Sequence, residues 1–383
     1  MVKNILHITP TDARFDGRIL KELNALKSLD NSRLMAYGIY EDEGHTFEPK
    51  QGVEIRTFKL FSKRLKFVPR PLRYFLNLLE AIFRITIPGI KFRPAIVHCH
   101  DTLFLPIALI IKWFCKSKLI YDAHELESDK AGQSKILSKY TLFIEKIAWR
   151  HIDFLISVSP SIIVWYKEHL GEKDSELIMN APILNTNLMQ QKNKNNYLRE
   201  KFNIPLEKKI FLYLGIISQK GRGVEYYLNV FQRKDISSHI IFMGYGEYSS
   251  KVKSSAEKYP NIHYHESVPH DQVVSVSKSA DVGLCMLEPV SLSDYYSLPN
   301  KLFEYAFSGI SVLACDFPDI RELVEKFSLG ICCSLSIEEI YRSIKALENK
   351  EKLSLKLSED KLYPLSWVCQ AEKLDSLYKK LLR

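Results

Sequence analysis

Ser297-Leu298-Pro299-Asn300-Lys301-Leu302-Phe303-Glu304-Tyr305-Ala306-Phe307-Ser308-Gly309 lies between two apolar, strand-like runs, residues 282–287 and 310–315. The segment predicts a helix capped by Ser297, with Pro299 in its first turn and Gly309 at its end. A helix that opens straight after a strand loop offers unpaired N–H groups and the positive end of its dipole to an anion such as phosphate. Lys301 adds a positive charge where acidic residues are usual, a cost that a bound anion would offset. Asn300 and Glu304 are four apart and share a face. A carboxylate one turn from a phosphate-binding end is placed to accept the hydroxyls of a ribose. From this segment alone, an ordinary amphipathic helix with Leu302, Phe303 and Phe307 in the core reads equally well.

Outward from it, apolar runs and helical patterns alternate along the whole chain. Strands are expected at 3–9, 33–40, 53–59, 95–100, 118–123, 154–159 and 176–180. A helix over 17–29 puts Ile19, Leu20, Leu23 and Leu26 on one face. Residues 184–208 are polar and Asn-rich at their start, which reads as a linker and the entry to a second unit. The alternation then restarts, with strands at 209–215, 239–243, 262–266, 282–287, 310–315 and 330–333. Helices are expected at 223–232, 248–258, 270–279, 300–308, 318–326 and 336–348. Such alternation predicts α/β architecture with mostly parallel, doubly wound sheets. Two such domains in series bind ligands at the carboxyl ends of their strands.

The length of 383 residues fits two domains, and 46% apolar with 11% aromatic content supplies two cores. The net charge of +9 favours acidic partners such as a nucleotide-sugar or an anionic lipid surface. Neither paired Cys/His zinc spacing nor an RNP-like aromatic motif occurs, which argues against nucleic acid. The seven cysteines are scattered, odd in number and without C-x-x-C, so they read as buried thiols of a reducing compartment. The first residues read as a strand and not as a signal peptide, because their apolar run is too short. No uninterrupted apolar run reaches the roughly eighteen residues of a spanning helix. The expected location is cytoplasmic, peripheral on the inner face of the cell membrane.

That last expectation rests on residues 59–93. Lys59, Lys63, Arg64, Lys66, Arg70, Arg73, Arg84, Lys91 and Arg93 interleave there with Leu60, Phe61, Leu65, Phe67, Leu72, Tyr74, Phe75, Leu78, Leu79, Ile82 and Phe83, opposed only by Glu80. Two readings stand: an interfacial helix on anionic lipid, or a core helix with a solvated basic face. The density of bulky apolar residues beside the charges favours the first.

Four segments carry candidate chemistry. In the loop after the first strand, Gly17 permits close approach of a ligand, while Asp16 reads also as a helix cap. Val97-His98-Cys99-His100-Asp101 and Tyr121-Asp122-Ala123-His124-Glu125 end two strands. No D-x-D or H-E-x-x-H accompanies them, so no metal is expected. His98 reads as a satisfied core residue, and His124, at a strand end, as the functional one. In the second half, the strand ending at Gly215 runs into Ile216-Ile217-Ser218-Gln219-Lys220-Gly221-Arg222-Gly223, where backbone N–H groups, Lys220 and Arg222 can hold a diphosphate. The G-K-[ST] ending of a P-loop is missing, which argues against ATP hydrolysis. Met243-Gly244-Tyr245-Gly246 forms a second small loop at a strand end.

In this order, these segments resemble the retaining glycosyltransferases of family 4. The resemblance spans nearly the whole chain. It is carried by Asp16-Gly17-Arg18, His98 to Asp101, Asp122 to Glu125, Asn180-Ala181-Pro182, Gly215 to Gly223 and Pro299 to Gly309. Ser366-Trp367 followed by Leu374, Leu377 and Leu381 completes it. It implies the GT-B fold, two Rossmann-like doubly wound domains facing across a cleft. Residues 1–183 would bind the acceptor, 184–365 the nucleotide-sugar, and 366–383 would form a helix crossing back onto the first domain.

The resemblance further implies retaining transfer of a sugar from a UDP- or GDP-sugar, with no metal and no cofactor beyond the donor. The acceptor expected is a lipid-linked or cell-surface glycan. Lys220 and Arg222 match the positions that neutralise the diphosphate leaving group, on which charge grows as the glycosidic bond breaks. Glu304 matches the second Glu of the family's E-x7-E motif, which binds ribose, and His124 the histidine that contacts the donor sugar. The catalytic set is then His124, Lys220 and Arg222. The donor-binding set is Gly17, Gly215, Lys220, Arg222, Gly244, Asn300, Lys301 and Glu304. Three positions depart from the pattern: Tyr296 stands for the first Glu, Ile216 for a common Arg, and Ser311 for a common Pro. A nonenzymatic nucleotide-sugar binder and a nucleotide-sugar epimerase of the same fold are the competing readings.

Overall fold

The computed structural model describes residues 2–41, 53–183, 195–350, 355 and 357–383. The start of the expected linker, residues 184–194, lies outside the described residues. The chain divides into two compact units, Met1–Asn180 with Gln370–Arg383, and Ala181–Cys369.

The first unit is built on strands β1 (Lys3–Ile8), β2 (Ser32–Ile39), β3 (Glu54–Phe58), β4 (Ile96–His100), β5 (Lys118–Ala123), β6 (Phe154–Ser157) and β7 (Ser175–Leu177). They form one parallel sheet in the order β3-β2-β1-β4-β5-β6-β7. The chain reverses its direction of travel between β1 and β4. A switch point of this kind opens a crevice at the carboxyl ends of the strands, because the loops there run to opposite sides. β4, Ile-Val-His-Cys-His, is buried along its whole length, as a central strand covered on both faces must be.

Among the described residues, the helices between these strands are α1 (Gly17–Ala25), α2 (Arg70–Phe92), α3 (Leu105–Cys115), α4 (Lys135–Trp149) and α5 (Pro160–Leu170). α1 begins at Asp16, whose carboxylate accepts from Arg18 N (3.1 Å) and Ile19 N (3.2 Å). The helix expected over 17–29 ends earlier, at Ala25, and tightens into a 3₁₀ turn over Leu26–Ser28.

The second unit contains β8 (Ile210–Ile216), β9 (His239–Tyr245), β10 (Ile262–His265), β11 (Val282–Cys285), β12 (Ser311–Cys315) and β13 (Gly330–Cys333). They too pair in parallel, in the order β10-β9-β8-β11-β12-β13, with the switch point between β8 and β11. The connecting helices are α6 (Tyr197–Phe202), α7 (Val224–Phe231), α8 (Ser249–Lys258), α9 (His270–Ser277), α10 (Leu292–Tyr295), α11 (Asn300–Ser308), α12 (Pro318–Lys326) and α13 (Ile337–Glu348). A short α14 (Glu359–Leu362) precedes α15 (Trp367–Leu382).

From Gln370 onward α15 belongs to the first unit. There Gln370 Oε1 accepts from Met179 N at 3.1 Å, and Leu374, Leu377 and Tyr378 are buried. The cysteines are free thiols, with Cys99, Cys285, Cys315 and Cys333 buried. Among the described residues, no helix is long and apolar enough to cross a membrane.

Candidate functional site

In the second unit, α11 is pinned to the sheet by Tyr305. Its hydroxyl accepts from Leu214 N (3.1 Å) and lies 2.9 Å from the carbonyl oxygen of Leu212, while its ring covers Gly283, where a Cβ would come within 2.3 Å of it. The small residue on β11 therefore sets how closely α11 lies on the strands. Gly309 ends the helix in a left-handed conformation, φ 70°. The expected cap differs: Ser297 does not cap α11, since its hydroxyl is turned back to Asp294 O (2.8 Å). Pro299 is the N-cap and supplies no side-chain hydrogen bond. Without a side-chain cap, the first N–H groups of α11 keep their capacity for an external acceptor.

Lys301, in the first turn of α11, is buried, and its ammonium has no hydrogen-bond partner among the described residues. It stands 4.2 Å from the centre of the Tyr213 ring, a cation–π contact. Burial pushes its pKa down, and the Arg222 charge pushes the same way, against the pull of Cys285 and Glu304. A desolvated cation with a second cation in its field is an arrangement that an incoming anion relieves. Glu304, one turn on, is also buried, with His270 Nδ1 3.6 Å from its carboxylate. His270 opens α9 and was not anticipated from the sequence. The available signal was its position at the first turn after a strand's carboxyl end.

Arg222 and Lys220 sit in the loop between β8 and α7. Arg222 is half-buried and Lys220 exposed. The loop is tied down by acids: Gly223 N donates to Glu288 Oε1 (3.3 Å), and Gln219 N to Glu247 Oε1 (3.1 Å). The N–H at the entrance of α7 is thus already satisfied by a carboxylate. An anion at this loop would rely on the side chains more than on that backbone group. Gly215 and Gly244 are direct partners on β8 and β9. A Cβ on Gly244 would fall 1.8 Å from Gly215 O, so Gly244 is required by strand packing, whatever it does for a ligand. Asn300 is exposed at the head of α11. Tyr296, where the resemblance expects Glu, ends α10 and packs its ring against Tyr295 (5.5 Å).

In the first unit the strand ends converge on a buried polar cluster. Arg18 donates through Nε and NH2 to Asp122 (3.0–3.1 Å) and through NH1 to Ile178 O (2.9 Å), with Nε also 3.0 Å from Glu22. A chain of rings runs beside it. His98 Nδ1 meets Tyr378 OH (2.6 Å), Tyr378 OH meets His7 Nε2 (3.1 Å), His7 Nδ1 meets His100 Nε2 (3.0 Å), and His100 Nδ1 meets His124 Nε2 (3.0 Å). His98, read as satisfied, is less fully so: among the described residues its Nε2 has no close hydrogen-bond partner and lies 3.5 Å from Asp122. His7, Glu22 and Tyr378 were not anticipated. They come from a strand, a helix and the end of the chain, and no local motif joins them.

Charges in this cluster separate by neighbour. Burial lowers His124, but Asp122 and Asp101 outweigh it and raise the imidazolium to about 9. Burial and the Asp122 charge raise Glu22 to about 8, against the pull of Arg18. Burial and the neighbouring His100 lower His98 to about 3. Near neutral pH the cluster therefore holds Arg18 and His124 as cations, with Glu22 and His98 neutral. His7, Glu22, His98 and His100 bring ligand-type atoms within 4.8 Å of one another, as do His100, Asp122 and His124. Arg18, in contact with the Asp122 carboxylate and the Glu22 carboxyl, opposes a further cation there. Gly17 stands at the exposed edge of this region, with nothing within 4 Å of a Cβ built on it. No protein packing demands glycine at that point.

Residues 194–361 match the family model described as Glycosyl transferases group 1. Across the whole length, the fold matches sucrose-phosphate synthase from Thermosynechococcus elongatus with a TM-score of 0.78, at 14% identity and 99% coverage of both chains. A glycosyltransferase from Rickettsia africae ESF-5 matches with a TM-score of 0.72, at 14% identity, covering 100% of this chain and 99% of that one. Anabaena Alr3699/HepE in complex with UDP and glucose matches with a TM-score of 0.71, at 12% identity, covering 99% and 100%. The two parallel-sheet α/β domains are thus those of the GT-B fold. No curated protein sequence matches the chain.

Proposed function

We propose that this protein is a glycosyltransferase that moves a sugar from a UDP- or GDP-sugar to a lipid-linked or cell-surface glycan, with retention and without a metal. The observation that carries the reading is Lys301: a buried ammonium with no hydrogen-bond partner among the described residues, one turn from a buried carboxylate, at the uncapped start of α11. Leaving a cation desolvated and unpaired is costly, and a donor diphosphate would complete it. In this reading Arg222 and Lys220 share the diphosphate charge, Glu304 and Asn300 hold the ribose, and Gly215 and Gly244 keep the loop backbones close to the donor.

The match of residues 194–361 to a glycosyltransferase family model supports this donor half. Anabaena Alr3699/HepE, which shares the fold, forms a complex with UDP and glucose. In the first unit, His124 contacts the donor sugar and Gly17 is a point of close ligand approach, while Lys220 and Arg222 of the second unit neutralise the leaving group. Charge growing on the leaving phosphate is what such preorganised cations stabilise. The phosphate itself takes the acceptor proton, so no carboxylate nucleophile is required. The basic, apolar stretch 59–93 holds the protein on the inner face of the cell membrane.

The test is a thermal-shift series with UDP-, GDP-, ADP- and CMP-sugars, with and without EDTA, on the parent and on Lys301→Met. A selective shift that survives EDTA and is lost in the variant supports the reading. No shift with any nucleotide-sugar would refute it.

A further inference from the structure

Helix α4 buries Ala148 and Trp149 near its end, but over its first three turns large apolar side chains are left outside. Its buried side holds Glu145 and Thr141, and its exposed side holds a stripe of large apolar residues: Ile136 (83% exposed), Tyr140 (47%), Phe143 (57%) and Ile147 (46%). This placement has a local cause. Glu145 Oε1 accepts from Tyr166 OH (2.6 Å), Tyr121 OH (2.8 Å) and Thr102 Oγ1 (3.0 Å), which turns the polar face inward. The spacing of 136, 140, 143 and 147 keeps the stripe on one side of the helix. The exposed charged residues of α4 are all cationic: Lys135, Lys139 and Lys146.

The same unit carries a second stripe. α2 exposes Leu72, Phe75, Leu79 and Phe83, again at helical spacing. Between the two helices lies a hollow of about 380 Å³, lined by Leu78 of α2, by Leu137, Tyr140 and Ile144 of α4 and by Leu103 and Pro106, with the Glu127–Lys130 ion pair at its polar part. At one end of α2, Lys63, Lys66 and Arg73 surround a further hollow with Phe67 and Tyr74. An apolar surface with a cationic rim complements anionic lipid, and lysines beside bulky apolar side chains are the composition of interfacial helices.

We propose that α4 is a second lipid-contacting helix, and that the hollow between α2 and α4 seats one acyl chain of an anionic phospholipid. The proposal rests on the membrane reading of residues 59–93 and extends it to a separate element. The two helices act as rails on the bilayer surface, their lysines and arginines at the headgroup level.

The full chain is tested by flotation with vesicles of phosphatidylcholine, alone or with phosphatidylglycerol. The parent is expected to float with the anionic vesicles only. Ile136→Glu combined with Phe143→Glu is expected to lower the bound fraction about tenfold while the melting temperature and the nucleotide-sugar thermal shift stay unchanged. Tyr140→Trp is expected to gain fluorescence that acyl-brominated phosphatidylglycerol quenches. If the α4 double variant floats like the parent while Phe75→Glu with Phe83→Glu does not, α2 alone docks and the proposal is overturned. An unquenched Tyr140→Trp in a vesicle-bound protein also overturns it, by excluding the hollow. A parent that never floats removes both the α4 proposal and the membrane reading beneath it. A parent that is dimeric in solution, and monomeric in the α4 variant, shows that a second copy covers this face and overturns the proposal.

Discussion

The Lys301 ammonium lies over the Tyr213 ring, 4.2 Å from its centre, and makes no hydrogen bond among the described residues. An aromatic face offsets part of the cost of desolvating the cation and leaves its donors unused. Replacing Lys301 with Met should leave unfolding free energy unchanged or raise it by about 1 kcal/mol, because a buried unpaired charge is removed. Affinity for the donor should fall about tenfold or more. Urea denaturation and calorimetric titration with UDP-sugars separate the two effects. A variant that loses stability and keeps its affinity would show a purely structural lysine.

Arg222, half-buried, has its charge felt at Lys301, whereas Lys220 is exposed. Arg222→Ala should therefore slow transfer by about 10²–10³-fold, and Lys220→Ala by less. The pair of changes together, and Glu304→Ala alone, should abolish transfer with the circular dichroism spectrum unchanged. Steady-state rates with a fixed acceptor provide the check. Equal losses in the two single variants would contradict the ranking.

Folding takes up a proton at His124, because its pKa rises from 6.5 to about 9. That contribution to stability is complete below 6.5 and is lost as pH rises through 9. Glu22 acts in the same direction. Its carboxyl ionises at 4.5 when unfolded and near 8 when folded, so stability falls as pH rises between them. The melting temperature should decline from slightly acidic toward alkaline pH. His124→Gln should flatten the part between 6.5 and 9, and Glu22→Gln the part between 4.5 and 8. His98, lowered to about 3, works the other way below 6.5, so the diagnostic window lies above it: a parent profile that is flat between 6.5 and 9 in melting curves at half-unit pH steps would contradict both assignments.

Arg18 is buried and bridges Asp122, Glu22 and the carbonyl oxygen of Ile178. Arg18→Met leaves the Asp122 carboxylate without its guanidinium, which should cost about 3–5 kcal/mol. Arg18→Lys should recover only part of this, since an ammonium cannot form the two-pronged contact. Chemical denaturation of the three proteins measures both differences.

Gly244 faces Gly215 across the β8–β9 ladder, and a Cβ there would lie 1.8 Å from a backbone oxygen. Backbone cannot yield as a flexible side chain can, so Gly244→Ala should destabilise the protein by about 3 kcal/mol or more. Gly17→Ala meets open space and should cost less than about 1 kcal/mol. If Gly17 serves ligand approach, affinity should fall in that variant even though its stability holds.

The alternation of strands and helices was legible because its signals are local. Every strand expected in the second unit, from Ile210–Ile216 to Gly330–Cys333, is present within two residues or so of its expected bounds. The cap of α11 was not legible in the same way. Ser297 has the right chemistry and nearly the right position, but Asp294 O offers its hydroxyl a closer partner. The outward side of α4 was not legible either, since its exposed apolar stripe has the periodicity of a core-facing helix. The three hydroxyls around Glu145, with buried Ala148 and Trp149, show which side faces inward.

By itself, the sequence determined the two parallel-sheet units, the order of their elements and the loops that carry Lys220, Arg222, Lys301 and Glu304. Periodicity, glycine and proline act over a few residues, and their effects can be followed along the chain. Only the tertiary structure decided which of those groups are buried, paired or left over. It brought His7, Glu22, Arg18, Asp122 and Tyr378 together from distant parts of the chain and set Lys301 over Tyr213. It also moved the pKa values of Glu22 and His124 to about 8 and about 9. Desolvation and Coulomb energy depend on distances through space and on the exclusion of water, and neither is written in the spacing of residues along a chain.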